Sequence, residues 1–210
     1  LLKSSAIQTA LYSNTCPTRN PFLFYETLIY RNAKIHLQHN ILTDRKFTGE
    51  KIAMNNLSYP VVPDAIASIH GSSLYPDLCG SVFFCQMHCG VFVNAQFHGL
   101  PVVRGNNCSH FLGFHIHENG DCSQNAEADF YQTGSHYNPD NSPHPNHRGD
   151  LPSIVSCNGY AWQAFLIDTF SVTEIIGKSV VVHASSDDFK TQPSGNSGAK
   201  IGCGVIKLNV

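Results

Sequence analysis

Charge is scarce in this chain: Asp, Glu, Lys and Arg make up 13% of its 210 residues, against 42% hydrophobic residues. That balance excludes a disordered, self-repelling tail and matches a folded chain long enough to bury one good core. Long apolar runs are missing too. The densest early patch, Phe22-Leu23-Phe24-Tyr25, stops at Glu26, well short of the ~18 consecutive apolar residues that a membrane helix needs. The first ten residues, Leu1 to Ala10, lack the basic start, continuous apolar stretch and small-residue cleavage site of an export leader. No membrane partner is expected, and the compartment stays open with a lean to the cytoplasm over secretion. There is no internal repeat.

What charge there is divides unevenly. Residues 1–58 carry seven Lys/Arg against three Asp/Glu, which leaves six against twelve, about −6, for residues 59–210. A negative C-terminal part argues against nucleic acid as its partner. Residues 1–58 also show no clean period, so the chain divides into a poorly patterned N-terminal extension and a patterned domain over 59–210. One reading takes Met54 as the native start and the preceding residues as translated upstream sequence; the other keeps the extension as a genuine part of the protein. Eight cysteines are an even number, but in a chain this long they do not dictate a disulfide framework.

From Ala65 onward the signals are β. Val91, Val93, Ala95 and Phe97 alternate with Asn94 and Gln96, the pattern of a half-buried strand. Short β-branched or aromatic runs recur at 67–70, 81–85, 111–117, 161–167, 179–183 and 201–206, separated by Gly, Pro, Asn and Asp. Such punctuation predicts an all-β, antiparallel sandwich or barrel. Ser171-Val-Thr-Glu174 has the spacing of a capping box and predicts one short helical turn. Two segments break the strand rhythm, 118–153 and 184–200, and loops this long without a period are functional or disordered.

The histidines concentrate at these breaks. His115 and His117 sit two apart in a strand-like run, so both imidazoles leave the same face about 7 Å apart, a spacing from which two rings can converge on one ion. His136, His144, His147 and Asp150 fall within fifteen residues of a proline-rich loop. Three imidazoles and a carboxylate form a tetrahedral set of the kind zinc takes, and Pro139, Pro143 and Pro145 reduce the freedom the loop must lose. His183 closes the run Val180-Val-Val182; with His115, His117 and His136 it makes an all-imidazole set suited to copper in both common oxidation states. His136 would then serve two metals. The bland alternatives are polar-face histidines on a strand and a solvated histidine-rich loop. Cys85, His88 and Cys89 form a weaker third candidate set; Cys85, Met87 and Cys89 share one strand face and read more simply as core or interface residues.

Five ordered motifs resemble the copper/zinc superoxide dismutase family over roughly residues 64–210. Gly113-Phe-His-Ile-His-Glu-Asn-Gly120 resembles the family's first copper-ligand strand, and Gly134-Ser-His-Tyr-Asn-Pro139 the segment with its metal-bridging histidine. His147-Arg-Gly-Asp-Leu151 is similar to the end of the zinc loop. Gly177-Lys-Ser-Val-Val-Val-His183 resembles the last copper-ligand strand, and the run from Gly195 to Ile206 the C-terminal signature. The resemblance implies a Greek-key barrel of about eight antiparallel strands with two long functional loops. It implies copper on His115, His117, His136 and His183, zinc on His136, His144, His147 and Asp150, and His136 as the bridge. Asp187 stands where the family keeps an acidic residue linking a copper ligand to a zinc ligand, and Cys122 and Cys203 where it keeps a loop-to-strand disulfide.

The implied activity is disproportionation of superoxide by copper redox cycling, with His136 moving a proton and a positive funnel of the metals, Lys200 and Lys190 drawing the anion in. Two departures stand out. His144 and His147 are separated by only two residues, a shorter spacing than many members have, which leaves zinc geometry and affinity open. Lys200 replaces an arginine that most members carry, keeping the charge but not the planar fork. A non-enzymatic copper/zinc-binding domain on the same scaffold is the alternative, because a fold does not guarantee turnover; none of the four copper positions is lost. An immunoglobulin-like adhesion module would leave the ordered histidines unexplained. A homodimer is left open.

Overall fold

Every strand of the computed structural model, which describes residues 62–102, 109–124 and 128–210, pairs antiparallel with its neighbours. The expected extension 1–58, with Met54, lies outside the described residues. Strands β1 (Ala65–Gly71), β2 (Cys79–Met87) and β3 (Gly90–His98) form a meander, followed by β4 (Ser109–Leu112) and β5 (Phe114–His117). Then come β6 (Ile154–Cys157), β7 (Ala161–Ile167), a one-turn helix α1 (Val172–Ile175), β8 (Ser179–His183) and β9 (Lys200–Leu208). The larger sheet runs β5-β8-β9-β1-β2-β3-β7, and β4 pairs with β6 in a second. The joins β5-β8, β9-β1 and β3-β7 are the long crossings of a Greek-key arrangement.

The apolar face of β3 is realised as expected: Val91, Val93, Ala95 and Phe97 are buried and pack with Ala65, Ala67, Val82, Phe84, Phe114, Val180 and Ile206 into one core, while Asn94 on the opposite face is buried as well. Burial of this apolar surface, at roughly 25 cal/mol per Å², is the main force holding the strands together.

The predicted strand 111–117 is broken at Gly113. Residues before it pair with β6 and residues after it with β8, so one extended run changes sheets there and ties the two together. A Cβ at Gly113 would press on Ser197 Oγ at 2.7 Å and His115 Cε1 at 3.2 Å, and glycine permits that approach. The other tie is the β6–β7 hairpin. Asn158 and Gly159 both take positive φ, 50° and 80°, as the two-residue turn that suits the strand twist requires. The result is the expected all-β barrel, with nine strands among the described residues where about eight were expected.

The predicted helical turn is present. The Glu174 carboxylate accepts from Ser171 N at 2.7 Å and Ser171 Oγ at 2.8 Å, which fixes the N-terminus of α1. The disulfide Cys122–Cys203 joins the first long loop to β9, with Cα atoms 5.7 Å apart. Around it Phe130, Val181 and Cys203 form a small second cluster outside the main core.

Candidate metal centre

Among the described residues the outer edge of β5 has no strand neighbour in the sheet, and unpaired edge groups need partners. The loop 118–153 supplies them. Tyr137 N donates to Ile116 O at 2.8 Å, Ile116 N to Gly149 O at 2.8 Å, and Leu151 N to Phe114 O at 3.2 Å. Isolated bridges form between His117 and His136 and between His115 and Asp150. Backbone pairing therefore lays the loop alongside the strand that carries His115 and His117. His183 arrives from β8, whose register places Val181 opposite His115.

Two groups of side chains converge as a result. His115, His117, His136 and His183 offer ligand atoms within 4.8 Å of one another, and so do His136, His144, His147 and Asp150. The histidines of both are buried. Cys85 is buried while Met87 and Cys89 are exposed, and they join neither group.

The outer hydrogen bonds decide which ring nitrogen faces inward, since a fixed outer bond sets tautomer and ring orientation. In the first group His115 Nε2 donates to Asp187 Oδ2 at 2.8 Å, His117 Nδ1 to Gly134 O at 2.9 Å, and His183 Nδ1 to Gly198 O at 3.1 Å. That leaves His115 Nδ1, His117 Nε2 and His183 Nε2 facing inward, the last two 3.3 Å apart. In the second group His144 Nε2 donates to Asp187 Oδ1 at 2.9 Å. Its Nδ1 lies 3.0 Å from Asp150 Oδ2 without hydrogen-bond alignment. One carboxylate, Asp187, thus holds a ring from each group. His136 belongs to both: its Nδ1 is 2.7 Å from Asp150 Oδ1 and 3.4 Å from His147 Nδ1, and its Nε2 turns the other way.

His115 Nδ1, His136 Nε2 and His144 Nδ1 are buried without a hydrogen-bond partner. An unsatisfied buried polar atom costs about 1–3 kcal/mol, and three in one place fit cations that would satisfy them together. Burial, reinforced by neighbouring His115, pushes His183 down to about 3; burial, then His183 and His136, holds His117 well below the usual imidazole range. Burial also lowers His115 and His147. Neutral imidazole is the form that binds a metal. Asp187 and Asp150 behave oppositely. Burial works against their charge, yet bonds from His115 to Asp187 and from His136 to Asp150 keep both below the ordinary carboxylate range.

The residues match a family model, copper/zinc superoxide dismutase, across 78–206. This chain belongs to the copper/zinc superoxide dismutase family. The copper/zinc enzyme of Legionella pneumophila is 31% identical over 158 residues, 71% of this chain and 91% of that protein. The extracellular superoxide dismutase of Mus musculus is 37% identical over 142 residues, 62% of this chain and 54% of its own length. The chain thus spans about half the length of that relative. Among solved structures, a double mutant of a SOD-like protein from Bacillus subtilis aligns with a TM-score of 0.55 at 26% identity, covering 67% of this chain and 95% of the other. The Brucella abortus copper/zinc superoxide dismutase aligns at 0.56, 24% identity, 67% and 98%, a likeness of fold.

Within this superoxide dismutase framework Lys200 occupies a tighter position than a surface cation. Its Nζ donates to Thr133 Oγ1 at 2.7 Å, Gly134 O at 3.0 Å and Phe130 O at 3.3 Å. Thr133 Oγ1 gives its own hydrogen to Phe130 O at 2.8 Å, so all three acceptors call on Nζ and the group is an ammonium. Burial lowers the Lys200 pKa while Glu118 opposes that shift. Lys190 is exposed. Thr133, Arg148 and Gln192 are contributors that the sequence did not point to: their partners lie as far as 67, 26 and 48 residues away, beyond any local spacing.

Proposed function

We propose that this chain disproportionates superoxide, converting two anions and two protons to oxygen and hydrogen peroxide. Copper would be held by His115 Nδ1 and by Nε2 of His117, His136 and His183. Zinc would be held by Nδ1 of His136, His144 and His147 with Asp150. When bound, copper supplies a one-electron centre that takes an electron from one superoxide and returns one to the next, while zinc steadies the shared ring without changing oxidation state. The observation that carries this reading is His136, one buried imidazole whose two nitrogens face two separate ligand groups.

The chain's own residues have distinct tasks. His136 Nε2, with no protein partner, is the atom able to hold a proton and pass it to the reduced anion; Nδ1 stays committed to the Asp150 side. Asp187 orients His115 and His144 together. Lys200 has its three N–H groups engaged, so it acts on an approaching anion through its charge. That local positive field has to overcome a net negative domain.

We place the protein outside the cytosol, setting aside the lean to the cytoplasm. The Cys122–Cys203 disulfide persists more readily in an oxidising compartment, and related proteins from mouse, rat and human are extracellular superoxide dismutases.

Metal analysis of the purified chain, together with superoxide removal, tests the reading. Copper and zinc should both be bound, and activity should follow copper. Zinc alone at full occupancy, with no superoxide removal after copper loading, would show a binding domain and not an enzyme.

A further inference from the structure

The short loop between His144 and His147 is held by single turns, Asn146 N to Pro143 O at 2.9 Å and Asp150 N to His147 O at 3.1 Å, and its ligands need support from elsewhere. We propose that Gln192 is a positioning residue for zinc, a two-point clamp on the backbone of His144. The proposal rests on reading His136, His144, His147 and Asp150 as the zinc set.

The geometry is specific. His144 N donates to Gln192 Oε1 at 2.9 Å, and Gln192 Nε2 donates to His144 O at 2.7 Å. One primary amide thereby satisfies both backbone groups of a single residue, as a neighbouring strand would. Only one orientation of the amide meets both partners, which fixes its oxygen and nitrogen. Two anchored points on the backbone and a third at Nε2, bonded to Asp187 at 2.9 Å, leave the ring one direction in which to aim Nδ1. That direction is toward Asp150, 3.0 Å away.

The loop that bears Gln192 is itself organised to present it. Asp188 Oδ1 accepts from Lys190 N at 2.9 Å and Thr191 N at 2.8 Å, and its Oδ2 accepts from Thr191 Oγ1 at 2.6 Å. Thr191 O accepts from Gly195 N at 2.7 Å, and Asp188 N donates to Gly195 O at 2.9 Å. This closes a turn over residues 188–195 with Gln192 inside it. Gly195 takes φ +66°, and a Cβ there would collide with the Asp187 carboxylate and stand 2.7 Å from His144 Nε2. The turn can therefore press against the Asp187–His144 pair only with glycine at this position. Among the described residues nothing comparable reaches the backbone of His147, whose N donates within its own loop to Asp150 Oδ2 at 3.0 Å.

The test compares the full chain with Gln192→Ala and Gln192→Glu. Zinc affinity is measured by competition with a chromophoric chelator, with cobalt(II) absorption as a second probe of the same ligands. Copper affinity and the melting temperature of the metal-free protein are measured alongside. Removing a partner that orients a metal ligand weakens binding ~10–100-fold, so Gln192→Ala should lose about tenfold in zinc affinity. Gln192→Glu, equal in size, should lose at least as much, because a carboxylate oxygen would face His144 O. Copper affinity should change far less, and the metal-free melting temperature should stay in place. Variants that bind zinc as tightly as the parent overturn the clamp, as does a zinc loss matched by equal copper loss and a lower metal-free melting temperature. A parent chain that takes no zinc overturns the zinc reading itself, and the clamp with it.

Discussion

The two ligand groups share His136 yet are built on opposite principles. In the first, His115, His117 and His183 stand on β5 and β8, adjacent strands whose ladder fixes backbone and side-chain direction together. In the second, His144, His147 and Asp150 belong to a loop, and side chains from distant segments hold it. Asp187 and Gln192 bind His144 from one side. Arg148, between His147 and Gly149, forms a forked pair with Asp140 at 2.6 and 2.9 Å and reaches Glu174 at 2.7 Å. A ladder is cooperative and tolerates loss of one side chain, whereas a tethered loop is as rigid as its individual ties. Changes outside the ligands should therefore be felt more at the group proposed for zinc than at the group proposed for copper.

The hardest break is at the shared ring. His136→Ala should weaken both metals by at least about 100-fold, above the usual loss for an outer partner, and take superoxide removal to background; unchanged zinc content would refute the sharing. Acid comes next. In the metal-free chain, folded His183 titrates near 3 and His117 well below its ordinary value, against about 6.5 for an unfolded histidine. Between those limits the unfolded chain binds protons that the folded chain refuses, so stability falls as pH drops from about 6.5 toward 3. Below about 4 the unfolded aspartate also protonates, and the contribution of Asp187, held low in the fold, begins to be lost. Urea midpoints at pH 7 and pH 4 measure this, and equal values would contradict the shifts.

Asp187→Asn sharpens the comparison, since it touches both groups. An amide can accept from one ring but not serve both as an anion, so each metal should lose about 10–100-fold in affinity, read by chelator competition for copper and zinc separately. The smallest expected effect is Arg148→Ala. Exposed ion pairs contribute little, so zinc should weaken by no more than about fivefold with copper unaffected; a copper loss equal to the zinc loss would erase the distinction between ladder and tether.

Much of this site was legible beforehand. His115 and His117 could be paired because a strand has period two, and His136 to Asp150 crowd into one loop. The resemblance supplied Asp187, which hydrogen-bonds both His115 and His144, and the Cys122–Cys203 pairing, which the disulfide bears out. The break at Gly113 was missed because Phe111 to His117 reads as one strand; the change of sheet depends on β6 and β8, which no local pattern reports. Gln192 and Thr133 were missed for a related reason. A glutamine or threonine in a polar loop looks solvated until its partner is known.

The sequence by itself determined that this is an antiparallel β protein, which residues carry imidazole and carboxylate, and that they come in ordered clusters. Those are matters of periodicity and chemical type, both written residue by residue. Only the tertiary structure decided which nitrogen of each histidine faces inward, and that Lys200 is held by three oxygens and not free at the surface. Each of these depends on hydrogen bonds between segments far apart in the chain, and those exist only once the core has brought the strands together.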